Sequence, residues 1–285
     1  MELNISKPDF IVLSKKEVEL IHASSLEMLS EIGMRVEHEE MLRRLDALGA
    51  DVNYHSQIVK FNQKLVEKHI DKMREDYKKR ELQKTPFSKT IGVIVAGFAT
   101  RIHDMDLNQI RKATKKDLEE ATIIGDALDD VIQVNALFTP QDVPISSCDI
   151  HMWDVLLRRT SKPKKAPILN KTSAKPVFEM CSIVAGSEDE VRKKRMFHYN
   201  CFISSPLRVT KDALDIAFEV CKLGMPDVVV DSPMVVSGAS GPITLAGTLT
   251  LSNAECLAGV VLTHALEREA FFGAGPVTMD MHLSL

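Results

Sequence analysis

Residues 225–262 read MPDVVVDSPMVVSGASGPITLAGTLTLSNAECLAGVVL. A β-rich apolar run over 227–230 meets a glycine-rich loop, and the loop feeds an apolar helix expected over 244–267. The glycines invite comparison with a phosphate cradle. No lysine follows them, however, and the loop comes after the fourth β-rich run of the chain, not the first. It reads instead as a packing device at a strand end. Ser240 is expected to cap the helix, with Pro242 in its first turn. Ala246, Gly247, Ala254, Ala258 and Gly259 keep the helix surface small enough for a neighbour to approach closely.

The same unit repeats outward from this stretch. β-rich runs fall at 132–138, 166–169, 196–203, 227–230 and 270–273. Helices are expected between and before them, near 115–128, over 173–186 with Ser173 as a cap, and over 210–224 with Gly224 as the stop. Short buried strands alternating with helices are the signature of βαβ units and a parallel sheet. Two architectures fit, a doubly wound open sheet and a (β/α)8 barrel. A barrel needs eight units, and about five are present.

The first third reads differently. Ser14 with Glu17 forms a capping box before an amphipathic helix that stops at Gly33. A second helix carries Leu42, Leu45 and Leu48 and stops at Gly49. The segment DVNYHSQIVKF predicts a hairpin, and Asn62 caps a third helix near 63–77. A lysine-rich linker over 78–89 separates this helical extension, residues 1–89, from the α/β part, residues 90–285. IGVIVAGFATRIHDMD, at its start, predicts a pair of strands.

Bulk properties narrow the function. A net charge of -4 with no basic stripe excludes an electrostatic nucleic-acid footprint. Five cysteines, an odd number without C-x-x-C spacing, argue against a disulfide framework or a structural zinc site and fit a reducing cytoplasm. No basic segment followed by an apolar one opens the chain, so no leader is expected. The apolar stretch 257–266 holds Thr263 and His264 and is too short to span a bilayer. No metal site is expected, because the nine histidines show no paired ligand spacing.

Several long motifs agree with one family. SPLRVTKDALDIAFEVCKLGMPDVVVDSPMVVSGASGPITLAGTLTLSNAECLAGVVL resembles the trimethylamine:corrinoid methyltransferases. So do LEMLSEIGMRVEHEEMLRRLDALGADV, RKATKKDLEEATIIGDAL, TPQDVP and GPVTMDM, in the family's order. The family includes pyrrolysine-containing trimethylamine enzymes and pyrrolysine-free relatives acting on betaine-like quaternary amines. The resemblance implies a (β/α)8 TIM-barrel type fold with a helical N-terminal extension. It implies transfer of a methyl group from a methylated amine to the Co(I) centre of a cognate corrinoid protein. The corrinoid (cobalamin) would belong to that partner, with no cofactor bound in this chain. Family members continue past the position matching Met281. Three barrel strands, and with them the catalytic residues, are therefore expected in a part absent from these 285 residues. The open edges of such a portion predict a homo-oligomer. The alternative is a catalytically inactive remnant that keeps the scaffold or a binding role.

A methylammonium carries diffuse positive charge, which suits an aromatic face with a carboxylate nearby. Of Tyr199, Phe202, Phe138 and Trp153, position at a strand end singles out Phe138. Gln141, Asp142, Asn200 and Ser205 follow or end strands, and Asp280 lies in the shared GPVTMDM motif. These six are the substrate-binding candidates. Each has an ordinary structural role as well: core packing for Phe138, turn-making for Gln141 and Asp142, a satisfied amide for Asn200, loop capping for Asp280. Asn253 and Glu255 fall inside the last helix and read as braces between elements.

Overall fold

The computed structural model describes residues 12–79, 92–231, 233–270 and the backbone of 277–280. The first helix, α1 (Lys15–Glu31), opens on the expected capping box. Ser14 Oγ accepts the Glu17 N–H, and the Glu17 carboxylate accepts the Ser14 N–H at 2.7 Å. Gly33 then turns the chain at φ +77° into β1 (Met34–Val36). Next come α2 (Glu39–Ala47) and the antiparallel hairpin of β2 (Asp51–Asn53) and β3 (Ile58–Lys60). The following helix, α3 (Gln63–Lys79), starts where Asn62 Oδ1 accepts the Leu65 N–H at 2.9 Å. Local side-chain chemistry was enough to mark these boundaries.

The second part holds β4 (Val93–Val95), β5 (Arg101–Asp104), β6 (Gln109–Lys112), α4 (Lys115–Ala127), β7 (Val131–Asn135) and α5 (Cys148–Arg159). It continues through β8 (Lys164–Lys165), α6 (Lys171–Ala185), α7 (Glu188–Lys193), β9 (Tyr199–Phe202), β10 (Arg208–Val209) and α8 (Lys211–Lys222). The last elements are β11 (Val228–Asp231), β12 (Met234–Ser237), α9 (Leu245–Ala265) and β13 (Val277–Asp280). The fold is mixed α/β. Parallel pairing joins β4, β7 and β8, then β9 and β11, then β12 and β13. Only Ser232 and Pro233 separate β11 from β12, so one path of chain serves two parallel pairs. Among the described residues these sets do not close into a barrel.

Several expectations need correcting. The strands of IGVIVAGFATRIHDMD do not pair with each other: β4 joins β7 in parallel, and β5 pairs antiparallel with β6. The run at 166–169 supplies only the two residues before it, Lys164 and Lys165, where Pro163 and Pro167 limit the ladder. Ala270 is not in a strand, and 271–273 lie outside the described residues. Most of the linker over 78–89 also lies outside them. Ser173 is the third residue of α6, not its cap. Thr244 caps α9, because its Oγ1 accepts the Gly247 N–H, while Ser240 Oγ accepts the Val236 N–H within the loop.

The last helix joins the two parts. Its 21 residues are apolar and long enough to cross a membrane, but 67% of the most apolar window is buried inside the protein. One side lies on β11, where a Cβ at Gly259 would meet the Val230 carbonyl oxygen at 2.3 Å. The other side takes the N-terminal helices. Asn253 Nδ2 donates to Ser25 Oγ, Ser25 Oγ donates to the Thr250 carbonyl, and Arg44 donates to the Ala265 carbonyl. Deeper in the same seam, the ring nitrogens His69 Nδ1 and His264 Nδ1 lie 2.8 Å apart, with His264 Nε2 3.2 Å from Asp76. Strand β10 also pairs in parallel with β1, so the N-terminal sheet recruits residues from the second part.

Candidate functional site

The glycine-rich loop is closed on itself. The N–H groups of Ala239, Ser240 and Gly241 all point to the Val236 carbonyl, and the Gly238 N–H goes to the Gly241 carbonyl. A phosphate cradle needs free N–H groups, and these are used. Gly241 is required because a Cβ there would strike Val235 Cγ1 at 2.3 Å. The loop braces the strand end.

The strand faces carry polar and aromatic side chains at the carboxyl ends of β9 and β11. Side chains in a strand alternate between two faces, and residues in register in a parallel pair share a face. On β9, Tyr199 and Cys201 point back toward the helices: both are buried, and Tyr199 Oη donates to the Ala213 carbonyl of α8. Asn200 and Phe202 therefore point the other way, and Phe202 is 52% exposed. Register sets Asn200 beside Val229 and Phe202 beside Asp231. An aromatic face and a carboxylate thus stand side by side at the carboxyl ends of two parallel strands. Asn200 Nδ2 donates to Asp231 at 3.1 and 3.4 Å. That contact fixes the amide orientation, since its oxygen would be repelled by the carboxylate. Asn200 Oδ1 is buried and finds no partner among the described residues.

The neighbouring β7–β8 pair also carries polar side chains. Gln133 donates to Asn135 across two residues of β7, so both share a face, and Asn135 is in register with Lys165. Lys164 is the helix-facing residue of that strand, with Asp126 of α4 and Cys181 of α6 acting on its charge. Burial lowers the Lys165 ammonium pKa, opposed by the Asp231 charge. Two residues before Asn200, His198 is pushed down to about 4, by burial first and by the Lys165 charge second. Gln133, Asn135 and Lys165 thus share one face of the β7–β8 pair, and Asn200, Phe202 and Asp231 share one face of the β9–β11 pair.

The sequence candidates distribute unevenly. Asn200 lies on the open face. Phe138 bridges to Ala99 and packs, half-buried, against the core. The Gln141 amide donates to the Thr139 carbonyl, and its backbone N–H donates to the Ala113 carbonyl. Asp142 accepts the Lys115 N–H at 2.8 Å, at the start of α4. Ser205 Oγ donates to Glu255 at 2.7 Å, and the same carboxylate accepts the Leu207 N–H at 2.6 Å. Glu255 is fully buried, and burial raises its pKa; it braces the loop after β9. Asp280 pairs through its backbone with Ser237, and its side chain lies outside the described residues. Of the four aromatics, Phe202 is the exposed one: Trp153 and Tyr199 are buried, Phe138 is half-buried, and Phe202 stands beside Asp231. Asp231 closes the VVVD run, and a charge ending an apolar strand was the available signal.

The sequence model of the family Trimethylamine methyltransferase (MTTB) matches residues 2–284. The chain belongs to the trimethylamine methyltransferase family. It is 31% identical over 274 residues to "Trimethylamine methyltransferase MttB" of Desulfitobacterium hafniense (strain DSM 10664 / DCB-2), covering 94% of this chain and 55% of that protein. It is 24% identical over 282 residues to "Glycine betaine methyltransferase" of Desulfitobacterium hafniense (strain Y51), covering 96% and 58%. A 98-residue segment is 37% identical to "Trimethylamine methyltransferase MttB" of Methanosarcina thermophila, covering 34% of this chain and 20% of that protein. The chain thus spans little more than half the length of both Desulfitobacterium hafniense relatives.

Proposed function

We propose that this chain contributes the methylammonium-binding wall of a methyltransferase that moves a methyl group from a methylated amine to a corrinoid protein. The observation that carries the reading is the pairing of Phe202 with Asp231 on the open strand face, in a chain of this family. A methylammonium has few or no N–H groups to donate, so recognition falls to a ring face and a counter-charge. Phe202 supplies the first and Asp231 the second. Asn200 keeps the carboxylate aimed by donating to it. Methyl transfer needs the carbon held in line between leaving nitrogen and acceptor, so catalysis here is largely positioning.

The acceptor is a reduced corrinoid carried by a separate protein, which supplies the nucleophile as a second substrate. The parallel strands and their outer helices form part of a (β/α)8 barrel in this reading, with the helical extension packed on α9. The six sequence candidates remain at or near its carboxyl end. Val93, Ile94, Ile132 and Met234, each at least half exposed, favour association between copies. The five cysteines are free thiols, which suits the cytoplasm.

The test is methyl transfer from trimethylamine or glycine betaine to the reduced corrinoid protein, followed by the corrinoid absorbance. Asp231→Asn and Phe202→Ala are expected to lower the rate by about tenfold or more each. Equal rates in the wild type and both variants would remove Phe202 and Asp231 from the site. Binding of the amine without transfer would assign the chain a binding role only.

A further inference from the structure

A cleft of about 930 Å³ opens at the other ends of the strands, within the roughly 300–1,000 Å³ of small-molecule sites. Pro163 and Lys164 place it at the amino end of β8, and His198 places it just before β9. Phe202 and Asp231 stand at the carboxyl ends of β9 and β11, so the cleft is apart from the methylammonium wall. Its lining is strongly basic. Arg158 and Arg159 come from the last turn of α5, Lys162 and Lys164 from the entry to β8, and Lys194 and Arg195 from the turn after α7. In the sequence these cations form two short runs, RRTSKPKK at 158–165 and RKKR at 192–195. The fold brings both runs to one hollow. Among the described residues Asp126 is the one acid in the lining, and its carboxylate already accepts the Thr160 hydroxyl and the Ser161 N–H.

Part of this charge serves the fold. Lys162 donates to the Gly125 and Leu128 carbonyls, at the end of α4. Asp154 pairs with Arg158 Nε, Glu119 with Arg159 Nη2, Glu190 with Lys194 and Asp227 with Arg195 Nη1. Those four carboxylates are outside the lining. A guanidinium has five N–H groups in a planar fork, so one such contact aims it and leaves donors for a ligand. Lys164 is half-buried and makes no ion pair or hydrogen bond among the described residues. We propose that this cleft is a binding site for a small polyanion with two linked phosphate groups. Arginine forks match phosphate oxygens, and cations from two separate runs are met better by two phosphates than by one. The chain as a whole carries a net charge of -4, so the attraction is local to the cleft and suits a small ligand, not a nucleic acid.

Isothermal titration of the 285-residue chain with inorganic pyrophosphate and with orthophosphate, at one ionic strength, tests this. Pyrophosphate is expected to bind at least about tenfold tighter than orthophosphate. Lys164→Gln and Arg158→Gln are each expected to weaken pyrophosphate about tenfold, the loss of one charge-assisted hydrogen bond. The Arg158 side chain is 74% exposed, so its variant carries the test if Lys164→Gln does not fold. Lys175→Gln removes the same charge from an exposed position of α6 outside the lining, and should leave the affinity within about twofold of wild type. Equal losses in all three variants would mean general attraction to a charged surface and would overturn the proposal. Equal affinities for the two anions, or a folded chain that takes neither, would overturn it as well.

Discussion

The seam between α9 and the N-terminal helices and the open face of the parallel strands both place polar side chains among apolar ones. They differ in how far those groups are paired. In the seam, Ser25, Asn253, Arg44, His264 and Asp76 each have a partner on another element, while His69 Nε2 and Ser252 Oγ find none among the described residues. On the strand faces, among the described residues, Lys165 has none, Asn200 keeps a bare oxygen, and Phe202 is half exposed. Buried polar groups that pair across elements specify how those elements dock. Polar groups left unpaired at strand ends are the pattern expected of a surface awaiting a ligand. The seam is architecture, and the open face is where chemistry has room.

The most damaging way to break this contrast is at Gly259, where the helix meets the strand behind the open face. A Cβ there would lie 2.3 Å from the Val230 backbone oxygen, and backbone cannot give way as a side chain end can. Gly259→Ala is expected to cost about 3 kcal/mol or more, or to prevent folding, as read by chemical denaturation. Because α9 carries both regions, the loss should take the seam and the strand face together. Cooperative unfolding at wild-type denaturant concentrations would show that α9 does not need the close approach.

Acid is a gentler probe of the seam. A neutral His264 that donates from Nε2 to Asp76 must accept at Nδ1, so His69 donates from its own Nδ1, and its buried Nε2 has no partner among the described residues. Burial first, and the His264 charge second, push the His69 pKa from 6.5 down to about 4. Burial also lowers His264. The sign follows directly. Above pH 6.5 neither state is protonated and the groups contribute no pH dependence. Between 6.5 and 4 the unfolded chain takes up protons that the folded chain refuses, so stability falls as pH falls. The His69 share amounts to on the order of 2–3 kcal/mol by pH 4. His198, also at about 4, adds to the loss, whereas Glu255, raised by burial, opposes it. Melts of wild type and His69→Leu from pH 7 to pH 4 isolate the seam. The variant should start less stable and lose less. Parallel curves would mean that His69 titrates normally in the folded chain.

What the sequence disclosed follows from the range of the interactions involved. Ser14 with Glu17, Asn62, and the stops at Gly33 and Gly49 act within a few residues, and each stands where the pattern put it. The family was legible because its motifs run the length of the chain. Strand partners were not, since β4 could pair with β5 or with β7, and only the assembled sheet decides. The helix expected over 244–267 begins where it was placed, but its cap is Thr244 and not Ser240, because both can cap and Ser240 Oγ is taken by the Val236 N–H in its turn. Facing was the hardest property to read. In Tyr-Asn-Cys-Phe both faces carry apolar side chains, so alternation cannot say which one the helices cover. Tyr199 was claimed by α8, which left Phe202 outward beside Asp231.

Asp142 gives the smallest and most discriminating test of that boundary between structure and site. The sequence offered it as a ligand for the amine or as a turn former. Its carboxylate accepts the N–H of Lys115, the first residue of α4, across 27 positions of sequence. A carboxylate at a helix start satisfies an orphan donor and favours the positive end of the helix dipole. Thr114 and Asp117 already form a capping box there, so Asp142 is a second support and not the sole cap. Asp142→Ala should therefore cost only about 0.5–1 kcal/mol in a denaturant melt. Glycine betaine affinity should stay within about twofold of wild type, since Asp142 is exposed and engaged with α4. A tenfold loss of affinity with an unchanged melt would reverse the assignment. The site would then extend from the open strand face onto the loop between β7 and α5, and the contrast between braced and unpaired groups would need to be redrawn around it.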